Sequence, residues 1–169
     1  MRAAGVTLAI ALALVLQTTL TRFIVRGTVA VDLVLVVVVY VALLSGSVTG
    51  LLAGTVAGLL QDSLSTGLIG IGGLAKTLVG FLAGIVGTQF IVARPLPRFV
   101  VFFAATVLHQ VITIGLGVLL GLRPVGMPYA TIAGQALGNA VVGVAAFQLA
   151  ELLPGAVERR RAGKTRLRR

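Results

Sequence analysis

The stretch GSVTGLLAGTVAGLLQDSLSTGLIGIGGLAKTLVGFLAG, residues 46–84, contains two glycine-rich apolar segments separated by a short polar turn. In both segments a small or charged residue recurs at every fourth position. These residues are Gly46, Gly50, Gly54, Gly58 and Asp62 in the first segment, and Lys76, Gly80 and Gly84 in the second. A four-residue repeat places neighbouring members on one surface of a helix, so the stretch predicts two helices with glycine-lined faces.

The composition is that of an integral membrane protein. The chain has 169 residues, of which 58% are hydrophobic and only 11% are charged, whereas a soluble domain has about a quarter charged residues. Cysteine is absent, which excludes disulfides, thiolate metal ligands and a cysteine nucleophile. We expect one transmembrane bundle over residues 1–155 and a basic cytoplasmic tail over residues 156–169.

The apolar runs predict an all-α protein with about six transmembrane helices. The predicted helices cover residues 1–20, 31–44, 48–60, 71–92, 99–122 and 130–153. The turn Ser45-Gly46-Ser47 separates the second and third helices, and proline-containing connections flank the fifth. Pro154 and Gly155 are expected to end the sixth. The first run could also be a signal peptide, but no small-residue cleavage pattern follows it.

The basic residues predict the orientation of the bundle. Seven of the fourteen lysines and arginines lie in residues 159–169. With six spans, the excess of basic residues falls on the side of both termini, so both are predicted to be cytoplasmic. A five-span arrangement changes this count little. The basic tail indicates contact with anionic membrane lipid rather than with nucleic acid.

The glycine rows have two interpretations. Gly50, Gly54 and Gly58 would let another backbone approach the third helix closely, and Gly80 and Gly84 offer a matching face on the fourth. The faces either pack against one another inside the bundle or leave a groove for a partner's transmembrane helix.

The charged residues near the turn also leave alternatives open. Asp62 and Lys76 would be brought to one end of the bundle by a helical hairpin, where they could form an ion pair or be solvated. Contact with a partner is a second interpretation. Proton or ion transport is a third, although one acid and one base do not make a relay across the bilayer.

The fifth and sixth predicted helices carry further polar residues within apolar runs. They are His109, Gln110, Gln135 and Asn139. Inside a bundle such groups must find hydrogen-bond partners, so they indicate either contacts that set helix register or a pocket for a small ligand. A single histidine without thiolates does not indicate a metal site, and no catalytic motif or cofactor motif is present. We expect a protein that is not an enzyme and that binds no cofactor.

Residues 32–87 resemble the MreD family of bacterial rod shape-determining membrane proteins. The resemblance lies in DLVLVVVVYVAL, residues 32–43, led by Asp32, and in the glycine-rich stretch GLLAGTVAGLLQDSLSTGLIGIGGLAKTLVGFLAG, residues 50–84. Val31 departs from the proline that family members often have before this aspartate.

The resemblance implies a non-enzymatic scaffold of the cell-elongation machinery in the bacterial inner membrane. Members of this family work with the bitopic protein MreC, with MreB, and with RodA and its class B penicillin-binding protein, and thereby support peptidoglycan synthesis and cell shape. The resemblance also implies a compact bundle similar to the substrate-binding components of energy-coupling-factor transporters. The polar side chains of the fifth and sixth predicted helices could instead line a ligand pocket, so a vitamin-binding transporter subunit is the alternative function.

Overall fold

The computed structural model describes residues 3–23, 31–65, 69–89, 94–121 and 129–166; for residues 3, 20–23 and 153–166 only the helical backbone is described. Within these ranges all regular structure is α-helical, which confirms the all-α part of the prediction. The helices are α1 Ala3–Phe23, α2 Leu33–Ser45, α3 Ser47–Leu64, α4 Ile71–Gln89, α5 Pro95–Leu119 and α6 Tyr129–Arg166.

The short helix α2 is the centre of the bundle. It contacts all five other helices, and buried residues occur all around it, including Val34, Val38, Val41 and Ala42. An all-round apolar sequence is typical of a helix enclosed by others. With 13 residues, α2 is about 20 Å long, shorter than the ~30 Å hydrocarbon layer.

Helices α3 and α4 form an antiparallel hairpin in which the two glycine rows meet. A methyl group added at Gly50 would overlap the carbonyl oxygen of Gly80, and one added at Gly54 would overlap the carbonyl oxygen of Lys76. At Gly58 it would lie 2.6 Å from the Cα atom of Gly73. The two backbones are therefore in direct contact, which only glycine permits at these positions.

The turn between α2 and α3 is as short as predicted. Gly46 alone separates the helices, with φ of 88°, a backbone conformation that favours glycine. Its N–H donates to the carbonyl oxygen of Ala42. This turn brings α3 back along α2.

Two predicted helix boundaries are wrong. The expected loop over residues 61–70 begins later, because α3 continues to Leu64. Helix α5 begins at Pro95 rather than at residue 99. Prolines in a first helical turn cost nothing in hydrogen bonding, since the N–H groups there have no partner within the helix.

The prediction that Pro154 and Gly155 end the last helix is also wrong. The backbone of α6 remains helical to Arg166. An internal proline removes one backbone hydrogen bond and can bend a helix without ending it. The following residues include alanine, glutamate and arginine, all good helix formers.

Three helical segments within the described ranges are long and apolar enough to cross a membrane. They are Ile71–Gln89, Pro95–Leu119 and Tyr129–Leu152. Large apolar side chains are exposed on the five helices that surround α2, for example at Leu12, Leu52, Leu78, Val111 and Val141. Such exposure is expected where a helix faces lipid.

Candidate functional site

An ion pair lies buried at the start of α2. The side chain of Asp32 is the N-cap of this helix, and its Oδ1 accepts a hydrogen bond of 2.9 Å from the N–H of Leu35. Its Oδ2 accepts from the Lys76 ammonium of α4, also at 2.9 Å. Asp32 is 6% exposed and Lys76 is 3% exposed. Both charges are thus removed from water and compensate each other.

The ammonium of Lys76 has a second buried partner on α5. Lys76 Nζ lies 3.2 Å from Nε2 of His109. An ammonium can only donate, so Nε2 is the acceptor and the imidazole is neutral with its proton on Nδ1. The contact therefore joins α2, α4 and α5 through one cation.

Side chains from distant helices satisfy the free backbone N–H groups at the start of α2. The N–H of Asp32 donates to Oδ1 of Asn139 on α6, at 2.9 Å. The N–H of Leu33 donates to Oε1 of Gln17 on α1, also at 2.9 Å. Asn139 in turn donates to Oγ1 of Thr106 on α5, at 3.1 Å. The backbone N–H groups that have no partner within the first turn of α2 are therefore hydrogen-bonded by side chains.

This network lies deep along the long helices. Asn139 is ten residues after the start of α6 at Tyr129, which is about 15 Å along the helix axis. His109 is likewise ten residues before the end of α5 at Leu119. Helix α2 therefore starts inside the bundle. The positive end of its helix dipole faces the Asp32 carboxylate, which it stabilises. We call Asp32, Lys76, His109, Asn139, Thr106 and Gln17 the buried polar layer.

The suggested pair between Asp62 and Lys76 is wrong, because Lys76 pairs with Asp32. Asp62 instead binds the N-terminus of α4. Its Oδ2 accepts from the N–H of Gly70 at 2.8 Å and from the N–H of Gly73 at 3.0 Å. Asp62 is 8% exposed, so it is not a solvated helix end. A carboxylate there interacts favourably with the helix dipole.

Lys76 also does not extend to the membrane surface. A snorkelling lysine would have an exposed ammonium, whereas the Lys76 side chain is buried and bonded on two sides. Lys76 lies about one and a half turns into α4, level with the start of α2 inside the bundle. Asp62 instead bonds to the first turn of α4.

The remaining polar candidates connect α5 and α6. The side-chain amide of Gln110 donates to Oε1 of Gln135, and Asn139 reaches Thr106 as described above. These polar groups bond one another. The cavity between α4 and α5 is instead lined by apolar side chains and has a volume of about 190 Å³.

The glycine candidates lie within the hairpin of α3 and α4. The face of α3 with Gly50, Gly54 and Gly58 is covered by α4, and Gly84 meets Ser47 in the same contact. The hairpin also has an interhelical hydrogen bond of 2.9 Å between the hydroxyls of Thr55 and Thr77. These positions are therefore occupied by the protein's own helices.

A second polar contact, which the sequence did not indicate, lies at the opposite end of α5. The guanidinium of Arg98 lies 2.5 Å from Oε1 of Glu151 on α6 and 4.4 Å from the ring centre of Phe147. The Phe147 ring centre is 4.4 Å from that of Tyr40 on α2. Arg98 is 6% exposed. This cluster joins α5 and α6 to the central helix at the other end.

The buried contacts hold the helices together. In the part of the chain that the structure describes, no group of three acidic, histidine or cysteine side chains could hold a metal ion. The charged groups of the buried polar layer are enclosed and bonded to one another.

Comparison with known protein families gives one match. The family model described as rod shape-determining protein MreD matches residues 2–148. Searches of curated proteins and of solved structures each found no match to this chain. The matched region includes α1 to α5, most of α6 and every residue of the buried polar layer. The chain therefore belongs to the MreD family of rod shape-determining proteins.

Proposed function

We propose that this protein is a non-enzymatic scaffold of the cell-elongation complex, which binds an MreC-type bitopic partner and supports peptidoglycan synthesis. Its family implies a role in rod shape determination. The buried polar layer supports the scaffold part of the proposal, because it ties α1, α2, α4, α5 and α6 together at one depth. A membrane scaffold needs a rigid set of outer faces, and a layer of this kind maintains it.

We propose that the buried polar layer fixes helix register and that the glycines of α3 and α4 serve packing within the hairpin. A polar group in an apolar bundle has few alternative partners, so it selects one arrangement of helices. The contacts of Lys76 with both Asp32 and His109 favour this role. The outer apolar faces then remain for MreC and, through the complex, for MreB, RodA and a class B penicillin-binding protein.

We further propose six membrane spans with both termini in the cytoplasm of an inner-membrane protein. The six helices of the described residues support this arrangement, and so does the basic end of the chain. The short α2 would span only together with its flanking segments or in a locally thinned bilayer. Because the chain has no cysteine, single-cysteine variants can be labelled from either side without background. Labelling of both termini from the periplasm would contradict this topology.

Photo-crosslinking in native membranes tests the scaffold proposal. One photoreactive residue is placed on an exposed site of each of five helices, at Leu12, Leu52, Leu78, Val111 or Val141. The proposal expects an MreC-type partner to be crosslinked from one or two of these faces and not from all. Absence of this partner at all five sites, while it is detected in the same membranes, would refute partner binding by these faces.

The polar side chains give no support to the alternative of a vitamin-binding transporter subunit. His109, Gln135 and Asn139, which motivated it, bond to other side chains or to the backbone. The apolar cavity between α4 and α5 lacks donors for a polar ligand. A similarity in fold to energy-coupling-factor components stays a prediction.

A further inference from the structure

The cavity between α4 and α5 is an apolar groove. Its walls are Val79, Leu82, Ala83 and Val86 on α4, and Val100, Val101, Ala104, Ala105 and Leu108 on α5. The residues on each helix recur at three- and four-residue spacing, so each wall is one helix face. The α5 wall extends over nine residues, from Val100 to Leu108, about 12 Å. We call this cavity the α4–α5 groove.

The size and lining of the groove suit a hydrocarbon chain. Its volume is about 190 Å³, whereas an apolar cavity of about 150 Å³ in another protein stays dry and binds benzene. No polar side chain lines the groove. A polar ligand would lose its hydrogen bonds with water there without replacement, whereas an acyl chain would not.

A free positive charge stands at one end of this groove. Arg94 is exposed and directly precedes α5. It lies six residues before Val100, the first groove residue of α5, which is about 9 Å along the helix axis. Among the residues with described side chains, no carboxylate pairs with Arg94. By contrast, Arg98 is buried and bound to Glu151.

The same end of the bundle collects further basic residues. The contact between Arg98 and Glu151 places the later part of α6 beside the start of α5. The α6 backbone then continues as a helix to Arg166. This extension contains Arg159, Arg160, Arg161 and Lys164. The start of α5, next to the groove, therefore lies on the same side of the bundle as this basic extension, and basic residues attract anionic lipid headgroups.

We propose that the α4–α5 groove binds one anionic phospholipid, with an acyl chain between the helices and the phosphate at Arg94. The apolar groove and the unpaired guanidinium match the two parts of such a molecule. A zwitterionic lipid has the same acyl chains but a weaker attraction to the guanidinium. The lipid site uses none of the residues of the buried polar layer and does not depend on partner binding. The lipid proposal and the scaffold proposal can therefore fail separately.

Native mass spectrometry of the purified full chain tests this site. The protein is incubated with equal amounts of phosphatidylglycerol and phosphatidylcholine, and the retained lipid is counted. We expect one strongly retained phosphatidylglycerol and a preference of about fivefold, the equivalent of about 1 kcal/mol for one arginine near a membrane surface. Arg94→Gln should abolish this preference. Equal retention of both lipids by the unaltered chain, or a full preference in Arg94→Gln, would overturn the proposal.

A pair of matched tryptophan variants tests the groove itself. Ala104 and Ala145 are both exposed, but only Ala104 lines the groove. Ala104→Trp should reduce retained phosphatidylglycerol to the level of phosphatidylcholine, while Ala145→Trp should retain it like the unaltered chain. Far-UV circular dichroism checks that both variants are folded. If Ala104→Trp keeps the lipid, or loses a co-purifying membrane protein instead, the groove is not a lipid site.

Discussion

Removal of the Lys76 ammonium should strongly destabilise the bundle. At the observed separation of 2.9 Å, two unit charges attract by about 6 kcal/mol if the effective dielectric constant is about 20. Much of this attraction offsets the cost of taking both ions out of water. In Lys76→Met the Asp32 carboxylate keeps that cost without its cation. We therefore expect a loss of about 3–5 kcal/mol in the free energy of unfolding.

The double variant distinguishes a charge pair from general loss of packing. Asp32→Asn keeps an acceptor for the Leu35 N–H, because asparagine is also a good N-cap. Combined with Lys76→Met, it removes both charges together. The double variant should be within about 2 kcal/mol of the unaltered chain, well below the sum of the two single losses. The coupling energy should exceed about 2 kcal/mol.

Unfolding in mixed micelles with increasing dodecyl sulfate, followed by far-UV circular dichroism, measures these free energies. Intrinsic tryptophan fluorescence cannot serve, because the chain has no tryptophan. Asp62→Asn with Lys76→Met is the matched control, since Asp62 bonds to Gly70 and Gly73 and not to Lys76. This control should be additive within about 0.5 kcal/mol. Additivity in the Asp32 and Lys76 cycle, or a loss below about 1 kcal/mol in Lys76→Met, would show that the two charges do not stabilise each other in the bundle.

Three other contacts can be tested by the same unfolding assay. Gly54→Ala should destabilise by about 1–3 kcal/mol, because its methyl group meets the α4 backbone; Gly117→Ala, which has open space, should be neutral or stabilising by up to about 1 kcal/mol. An equal effect at both glycines would contradict close packing. Asn139→Leu should cost about 1–3 kcal/mol, because the N–H of Asp32 loses its acceptor, and an unchanged stability would remove Asn139 from the layer. Asp62→Ala should cost about 1–2 kcal/mol through loss of the cap on α4 while Asp62→Asn costs less; equal losses in the two variants would contradict capping.

The glycine hairpin shows how local sequence can predict a long contact. The two rows of glycines lie within one short stretch, on helices separated by only six residues. Helices so connected must lie side by side, and lipid rewards close backbone contact between small residues. The sequence left open whether this contact is internal or with a partner, because the same property suits both. In the structure α4 covers the α3 face.

The spacing of charged residues along the sequence could not predict the ion-pair partner of Lys76. Asp62 is nearer in sequence, but Asp32 lies at the same depth because α2 starts inside the bundle. An aspartate directly before a short apolar run is an N-cap signal, and it could have identified the start of α2. The acceptor for the Asp32 N–H is Asn139, 107 residues away. No local pattern indicates such a distance.

The class of protein, the all-helical fold, the family and the small residues of the hairpin could all be predicted from the sequence. These follow from local quantities: hydropathy, helical period and the small volume of glycine. The pairing of the charges and the outer faces of the helices became clear only from the packing of the helices. A buried charge pairs with the oppositely charged group that helix packing places within about 3 Å. Which group this is depends on how deep each helix lies in the bundle. Lys76 therefore belongs to the start of α2, and Asp62 to the start of α4.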